Sequence, residues 1–563
     1  MNTPAPLSRR QWLGQVSLPV LAATAGASLL PGTARAGEAA AADRLAGTRI
    51  YNVRDFGATG DGASLDTAAL QAAIDACHAD RGGTVLVPAG VFVTGTLELK
   101  SNVTLHLAAQ AVLLGSADGK QYRAAHAIPL TGDHTLEDGN VGLIFAVNAE
   151  NITLEGHGTI DGQGARFRSP VKGQTPPSGR GGNDRPHHLL FYKCTNLTVR
   201  DLFLRDCAYH AVRAISCSFA KFEGLRMHSR VNSNNDGFHF ISSRFVHISN
   251  CDVHVQDDAC ALFGSNQFVT VTNCTFSTRW SVFRFGGGTA ENITVSNCVI
   301  FDTYGCPIKM HCGAGARFEN ILFSNLVLRN VTGPISLGLQ SHRRRRDQTA
   351  DAASPGRGVV RNISFNGIRA FVTADGRPYD DMGWPQSYRP GERHTCIVLN
   401  GVGDDFLENI SFTDVHVTCE GGGTAAEARA EVPPVAGEYF ETGTPPAYGF
   451  YARNVRGLTL HNVRLEATAA DLRPAIVLEH VTDVAMNGLA AQGDPSAESL
   501  LRFTDTRDAL LTATRVLTPA ATFLQVEGAD SANITVDGGD LAKAARGLGT
   551  ARGASGTAAR LRG

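Results

Sequence analysis

Three aspartates near the middle of the chain are the residues best suited to do chemistry. Asp258 lies 22 residues after Asp236, and Asp257 directly precedes it. Carboxyl groups held close together raise one another's pKa, so that one can keep its proton near neutral pH. Such a set can supply the acid and the base that hydrolysis of a glycosidic bond requires. Clustered carboxylates also suit calcium, and acids at a regular spacing can equally form a solvated edge.

An internal repeat explains how these aspartates could meet. The sequence V-H-I-S-N-C at Val246 recurs as V-T-V-T-N-C at Val269 and as I-T-V-S-N-C at Ile293. A period in the twenties is typical of a solenoid, and the alternation of apolar and polar residues predicts short strands. Stacked coils would pair these strands in parallel at about 4.8 Å. The sequence therefore predicts an all-β chain, a single-stranded right-handed parallel β-helix, with Asp236 and either Asp257 or Asp258 on one face of adjacent coils.

The ends of the solenoid need different structures. The segment Asp66–Ala79 is the one convincing helix, because apolar residues recur along one side of it and Asp66 can cap its start. We expect this helix to close the apolar interior at the first coil. At the other end, residues 542–563 are rich in Ala, Gly and Arg, which predicts a disordered tail.

Four longer segments interrupt the repeat and are rich in Gly, Pro and charged residues. Loops of a solenoid usually lie on one face, where they shape a cleft. The four candidates are Gly164 to Pro186, Arg343 to Gly358, Asp375 to Arg393 and Gly421 to Pro446.

The first 36 residues have the pattern of an export signal. Arg9 and Arg10 precede an apolar run from Val16 to Leu30, and a small-residue cleavage site ends at Ala36. The paired arginines indicate a twin-arginine signal of a bacterium, with an ordinary secretory signal as the alternative; the run is too short for a membrane anchor. We predict a signal over 1–36, a catalytic β-helix over 37–541 and the tail over 542–563, in a protein that is periplasmic or secreted.

Charge and cysteine content narrow the class further. Removing the signal takes away three arginines and no acid, which changes the formal net charge from −2 to −5 and argues against a nucleic-acid partner. The chain has 12 cysteines. Cys251, Cys274 and Cys298 recur at the repeat period, which favours a ladder of buried free thiols. Cys306 and Cys312 are close enough in sequence to form a local disulfide, with free thiols as the alternative.

These motifs together carry a family resemblance. The segment YNVRDFGATGDG from Tyr51, the Asn-Ile-Thr repeats, Asn235-Asp236-Gly237 and Gln256-Asp257-Asp258 resemble glycoside hydrolase family 28, the polygalacturonase-like enzymes of pectin breakdown. The resemblance extends to about Asn462. Of the family's four motifs, Asn-Thr-Asp corresponds to Asn234-Asn235-Asp236, Asp-Asp is present, and Arg-Ile-Lys is kept in part as Pro307-Ile308-Lys309. The Gly-His-Gly motif is replaced by the histidine-free stretch from Arg279 to Gly286.

The resemblance implies roles for individual residues. Asp258 would be the general acid, and Asp236 and Asp257 would activate water on the far side of the sugar, with inversion. Four further residues would bind the substrate. Lys309 and Arg284 would orient an acidic or hydroxyl-rich sugar, Trp280 would offer a stacking face and His210, 26 residues before Asp236, would line the cleft. Each of these four also has a structural alternative. Lys309 could be a plain surface lysine and Arg284 an ion-pair partner. Trp280 could pack in the core and His210 could be a buried structural histidine.

The predicted function is hydrolysis of pectin-type polysaccharides or oligosaccharides by an exported monomer that needs no cofactor and binds no membrane. The expected partner is a glycan that contains uronic acid. Two alternatives belong to other classes. A calcium-dependent polysaccharide lyase would require calcium and form unsaturated products, and a glycan-binding β-helix would have no activity.

Overall fold

Parallel strands account for most of the chain, which is described in a computed structural model over residues 47–130, 139–169, 173–341, 356–383 and 386–562. The predicted export signal lies outside these residues. The strands form one continuous system in which almost every strand pairs in parallel with the equivalent strand of the next coil. This is the predicted parallel β-helix.

The strands fall into three consecutive groups of coils. The first coils comprise Ile50–Asn52, Asp61–Leu65, Gly83–Val87, Gly90–Thr94, Leu97–Glu98, Val103–Leu107, Ala111–Gly115, Gly142–Val147, Glu150–Gly156 and Thr159–Asp161. The central coils comprise His187–Tyr192, Thr195–Arg200, Phe203–Arg205, Val212–Ile215, Ser218–Glu223, Arg226–Ser229, Phe238–Ile241, Arg244–Ser249, Asp252–Val255, Cys260–Phe263, Asn266–Thr272, Thr275–Thr278, Phe283–Gly286, Thr289–Thr303 and Ile308–Cys312. The last coils comprise Arg317–Val331, Ile335–Leu339, Val359–Val372, Ile397–Gly401, Leu407–Cys419, Phe450–Ala467, Ile476–Asn487, Ala490–Ala491, Leu501–Thr504, Arg507–Val516, Ala520–Glu527, Ala532–Asp540, Ala544–Ala551 and Ala559–Arg562.

Helices are few and short in the described residues. The α-helices are Thr67–Ala79, Ala425–Ala428 and Tyr439–Thr442, and the 3-10 helices are Val53–Phe56, Gly119–Gln121, Gly164–Phe167, Gly182–Asp184 and Pro390–Glu392. Within this part of the chain, no helix has the length and the apolar character that crossing a membrane requires.

The sequence repeat sets the register between coils. Val246 lies opposite Val269, and Val269 lies opposite Ile293. Inward side chains therefore stack on their own kind along the solenoid. The rings of Phe323 and Phe365 stack with centroids 5.2 Å apart, and Phe412 continues the stack at 4.8 Å. Because such stacking requires similar apolar residues at equivalent positions of successive coils, the repeat can be recognised in the sequence.

The cysteines are free thiols, and all of them are buried. The predicted ladder of Cys251, Cys274 and Cys298 is confirmed, with the N–H of Cys251 3.4 Å from the Sγ of Cys274. The alternative of a disulfide between Cys306 and Cys312 is wrong. The extended strand Ile308–Cys312 lies between them, and at about 3.3 Å per residue it holds the two thiols too far apart to bond.

The predicted entrance helix is present as Thr67–Ala79 and buries the expected residues Leu70, Ala73, Ile74 and Cys77. Asp66 occupies the N-cap position, but its side chain does not cap the helix. Its carboxylate instead accepts the N–H groups of Thr59 at 2.7 Å and Gly60 at 3.0 Å. Asp66 therefore fastens the preceding turn to the start of the helix.

The C-terminal segment differs from the disordered tail that its composition predicts. Ala544–Ala551 pairs in parallel with Ala520–Glu527, and Ala559–Arg562 pairs with Ala532–Asp540. Main-chain hydrogen bonds to the preceding coil hold these strands, so they need few large apolar side chains. The solenoid therefore continues through residue 562.

Asparagines with left-handed backbone form ladders that run from coil to coil. Asn320 has φ of 55°, donates its side-chain amide to Asn292 at 3.4 Å and accepts from Asn362 at 3.2 Å. Asn362 accepts in turn from Asn409 at 2.7 Å. Asparagine tolerates this conformation better than most residues, so the recurrent Asn of the repeat marks a turn.

We expect Asn320→Ala to destabilise the protein by about 1–2 kcal/mol, because it removes two amide contacts and places an ordinary Cβ at positive φ. Asn320→Gly should cost less, because glycine adopts this φ without steric penalty. Denaturation midpoints in urea would compare the two variants. Equal losses for Ala and Gly would contradict the role assigned to the backbone.

Candidate active site

Main-chain pairing places the two predicted aspartate positions side by side on adjacent coils. Phe238 lies opposite Cys260 in the parallel register. Immediately before these strands, the N–H of Gly237 donates to the C=O of Asp258 at 3.0 Å. Asp236 and Asp258 are therefore equivalent positions one coil apart, as the spacing of 22 residues predicts.

The adjacent aspartates Asp257 and Asp258 have different hydrogen-bond partners. Asp258 accepts the N–H of Ser281 at 3.2 Å, from the next coil. Asp257 accepts the N–H of Asp258 at 3.0 Å and lies 3.4 Å from the side-chain amide of Asn234. Both side chains are partly exposed, so substrate can reach either of them.

The surroundings of the Asp257 carboxyl group favour its protonated form. Removal from water raises the pKa of Asp257 well above its ordinary value, and the charges of Asp236 and Asp258 raise it further. The N–H of Asp258 and the ammonium of Lys309 oppose this rise only in part. A proton held at Asp257 can be given to a leaving oxygen.

Asp236 is buried and lies next to a ring nitrogen of each of two imidazoles. Its Oδ2 lies 3.0 Å from Nδ1 of His239, and its Oδ1 lies 3.6 Å from Nε2 of His210. The two rings stack with centroids 4.4 Å apart. These contacts fix the orientation of the Asp236 carboxylate, which has little freedom to turn away from the site.

His210 is a buried neighbour of Asp236, with only 3 % of its surface exposed. Burial lowers the pKa of His210 well below its ordinary value, and the positive charges around it, with His239 first, lower it further. His210 is therefore neutral at physiological pH. This position matches the structural alternative for His210 and gives it no open cleft surface for a substrate to contact.

His239 was not predicted from the sequence, although the repeat could have shown it. His239 lies opposite Ala261, Ala261 opposite Arg284, and Arg284 opposite Lys309. Counting back two coils from Arg284 thus leads to His239.

His210, Asp236 and His239 also form a possible metal site, because their donor atoms all lie within 4.8 Å of one another. Two imidazoles and a carboxylate are a donor set for zinc and related transition metals. Among the described residues this is the one such group. The three aspartates do not form an oxygen-only group of the kind that calcium prefers.

The two predicted sugar-binding cations converge on a carboxylate that the sequence did not reveal. Arg284 Nη2 lies 3.1 Å from Oε1 of Glu438, and Lys309 Nζ lies 2.6 Å from Oε2. The Lys309 side chain is 3 % exposed and that of Arg284 19 %, so Lys309 is not a plain surface lysine. Glu438 comes from the predicted loop Gly421 to Pro446. No repeat relates it to the site, and no sequence signal identified it.

Trp280 lies at the junction of the acidic and basic parts of the site. It is partly exposed, and the Lys309 ammonium lies 5.3 Å from its ring centroid. The guanidinium of the buried Arg279 lies 4.8 Å from the same ring. Part of Trp280 is therefore accessible, and its role as a stacking face for a sugar stays a prediction.

The histidine-free stretch contributes main chain rather than an imidazole next to the aspartates. Ser281 stands one coil beyond Asp258 and donates its N–H to that carboxylate. The imidazoles near the carboxyl groups belong instead to His210 and His239, on the other side of Asp236.

Three predicted loops contact the coils of the site. In the first, Arg185 donates to the C=O of Ser233 at 2.6 Å. In the second, Asp381 pairs with Arg230 at 3.0 Å. In the third, Glu438 holds the two cations. The fourth loop, Arg343 to Gly358, lies almost entirely outside the described residues.

Comparison with known proteins agrees with this geometry. The sequence profile described as Glycosyl hydrolases family 28 matches residues 77–377. A probable polygalacturonase from Arabidopsis thaliana is 29 % identical over 231 residues, which cover 39 % of this chain and 50 % of that protein. Endopolygalacturonase D from Aspergillus niger is 25 % identical over 298 residues, which cover 49 % of this chain and 54 % of that protein. The chain spans about half the length of the curated relatives it matches.

A solved structure supports the fold independently. The family 28 exopolygalacturonase from Yersinia enterocolitica superposes with a TM-score of 0.55 at 20 % identity, covering 78 % of this chain and 79 % of that one. At this identity the likeness concerns the fold, the right-handed parallel β-helix. Together with the profile match over more than half of the sequence, it shows that this chain belongs to glycosyl hydrolase family 28.

Proposed function

We propose that this protein hydrolyses glycosidic bonds of a pectin-type polysaccharide or oligosaccharide by acid/base catalysis with inversion. The observation that carries the proposal is a carboxyl group of raised pKa, Asp257, next to Asp236 and Asp258 on adjacent coils. An inverting hydrolase needs one protonated and one ionised carboxyl group at a single bond. The polygalacturonase names of the relatives supply the substrate class.

In this mechanism Asp257 is the general acid. Resemblance alone implied Asp258; we assign the role to Asp257 because burial and the charges of Asp236 and Asp258 raise the pKa of its carboxyl group. Asp257 would protonate the oxygen of the leaving sugar as the glycosidic bond breaks. Asp258, which accepts the N–H of Ser281, and Asp236, which lies against His239, would be the proton acceptors. They would take a proton from the water that attacks the opposite face of the sugar.

The same proposal extends to the cofactor requirement, the location and the oligomeric state of the protein. Acid/base hydrolysis by three carboxyl groups calls for no cofactor. The N-terminal twin-arginine pattern favours export from a bacterial cell as a folded protein, where polysaccharide substrates are found. We propose a monomer that acts outside the cytoplasm.

Product analysis would test the reaction class. The protein is incubated with polygalacturonan, rhamnogalacturonan and mixed pectic oligomers, with and without a chelator. New reducing ends without unsaturated sugars, at a rate that the chelator leaves unchanged, are the expected result. Unsaturated products that need calcium would make the protein a lyase. Binding of a glycan without any new reducing end would make it a binding module.

A further inference from the structure

The basic part of the site already contains a carboxylate of the protein itself. Arg284 and Lys309 stand opposite each other on neighbouring strands, and both form ion pairs with Glu438, at 3.1 and 2.6 Å. Although burial alone would raise the pKa of Glu438, the charges of Lys309, Arg284 and His311 hold it well below its ordinary value. Glu438 is therefore ionised at any pH at which the protein would work.

Glu438 is held firmly in this position. It precedes the short helix Tyr439–Thr442, and its N–H donates to the carboxylate of Glu441 at 2.9 Å. The next residue, Tyr439, is buried, and its hydroxyl donates to the C=O of Gly333 at 2.9 Å. The backbone that follows Glu438 is thus anchored outside its own loop, and the two ion pairs hold the carboxylate against the cations.

The ion pairs lie close to the reacting groups. The charge of Lys309 acts on Asp257, and Lys309 contacts Trp280, whose neighbour Ser281 binds Asp258. A sugar bound beside Trp280 and the cations would therefore adjoin the bond that is cleaved. Its polar groups would meet a carboxylate acceptor together with the two cationic donors.

We propose that Glu438 determines specificity at this subsite: it occupies the place of a sugar carboxylate, excludes a uronate and selects a neutral sugar bound through hydroxyl groups. A uronate here would bring a second carboxylate against Glu438, and like charges at short range are strongly disfavoured. A hydroxyl group, by contrast, can donate to Glu438 and accept from Lys309 or Arg284. This inference rests on the proposed function and narrows its substrate to pectic glycans with a neutral sugar next to the cleaved bond.

The test compares binding, so that it does not depend on turnover. Short oligogalacturonides and the same oligomers after chemical reduction of their carboxyl groups share linkage and length but differ in charge. Calorimetry would measure the affinity for the acidic and for the reduced oligomers. The proteins compared would be the unmodified protein, Glu438→Gln and Glu438→Asp. Glu431→Gln is the matched control, because it removes an exposed charge from the same loop.

We expect the unmodified protein to bind the reduced oligomers more tightly than the acidic ones. Glu438→Gln frees both cations, so its affinity for the acidic oligomers should rise by about tenfold or more. Glu438→Asp keeps the charge and should gain much less, and Glu431→Gln should match the unmodified protein. Thermal unfolding of each variant checks that the fold is kept.

Three results would overturn the inference: a preference of the unmodified protein for the acidic oligomers, no gain in Glu438→Gln, or no binding of either oligomer by any variant. The proposed function has a separate test. It would be contradicted if the oligomers bind with the expected charge selectivity but none of them is hydrolysed.

Discussion

Asp257→Asn is expected to lower the rate of hydrolysis of a natural glycan by about 10²- to 10⁴-fold. The asparagine amide has nearly the shape of the protonated carboxyl group, but it cannot give a proton to the leaving oxygen. A substrate with a good leaving group, such as an aryl glycoside, needs little help from an acid. Asp257→Asn should therefore retain most of its activity on that substrate, and steady-state rates on both substrates would show the difference.

Two further variants make the assignment sharp. Asp258→Asn removes an acceptor rather than the donor, so it should be slow on both substrates, with no rescue by the better leaving group. Asp252→Asn changes an exposed aspartate of the same coil and should act like the unmodified protein. If Asp258→Asn is the variant that the aryl glycoside rescues, the acid is Asp258, as resemblance alone implies.

The raised pKa of Asp257 also makes the stability of the folded protein depend on pH. The folded protein binds this proton more tightly than the unfolded chain, whose aspartates titrate near 3.8. Stability is therefore lost as the pH rises from about 4 through the folded-state pKa. Asp257→Asn removes that loss, so the variant should be at least as stable as the unmodified protein at pH 7. Unfolding curves at pH 4 and pH 7 would separate a loss of chemistry from a loss of fold.

The same proton should limit activity at high pH. In the proposed mechanism hydrolysis requires Asp257 to be protonated, so the rate should fall as the pH rises through its pKa. The three carboxyl groups titrate together, and the profile therefore reports the set rather than one residue.

The sequence could predict the contacts between residues that the repeat spacing brings onto adjacent coils. A parallel solenoid brings residues at a constant spacing into contact, so the spacing of 22 residues from Asp236 to Asp258 was enough to place them on adjacent coils. The same counting would have found His239 from Arg284. Glu438 was beyond this reasoning, because it lies on a long loop that returns to the site by a path without periodicity.

Composition was a poorer guide than periodicity. The segment after Ala542 resembles a low-complexity tail, yet two of its stretches pair with earlier strands. A solenoid strand is stabilised mainly by main-chain hydrogen bonds to the coil before it, and side-chain composition does not report these bonds. Likewise, the short sequence distance between Cys306 and Cys312 suggested a bond that an extended strand makes impossible.

A buried ion pair attaches the second loop to the site. Arg279 Nη1 lies 3.2 Å from Oε1 of Glu392, and the two side chains are 4 % and 3 % exposed. Arg279 also donates to the C=O of Ser387 at 2.7 Å and lies over the rings of Tyr388 and Trp280. The conformation of this loop and the position of Trp280 thus depend on one arginine and its partner.

Glu392→Gln is expected to detach the second half of this loop, because it leaves the buried charge of Arg279 without a counterion. Breaking such a pair costs about 3–5 kcal/mol. Tyr379 and Asp381 hold the first half of the loop to the coils, so residues 386–395 should open locally before the β-helix unfolds. Proteolysis within 386–395 and a raised KM, with little change in the main unfolding transition, are the expected results. Limited digestion followed by mass spectrometry would locate the cut.

Asp375→Asn provides the matched control on the same loop. Asp375 pairs with Arg393 at 3.1 Å, but the two side chains are 47 % and 56 % exposed, and an exposed pair contributes at most about 1 kcal/mol. This variant should resist the protease like the unmodified protein and keep its KM. Equal sensitivity of Glu392→Gln and Asp375→Asn would mean that the Arg279 ion pair does not hold the loop. A loss of the whole fold in Glu392→Gln would mean that the loop and the coils unfold as one unit, and that this pair stabilises the β-helix itself.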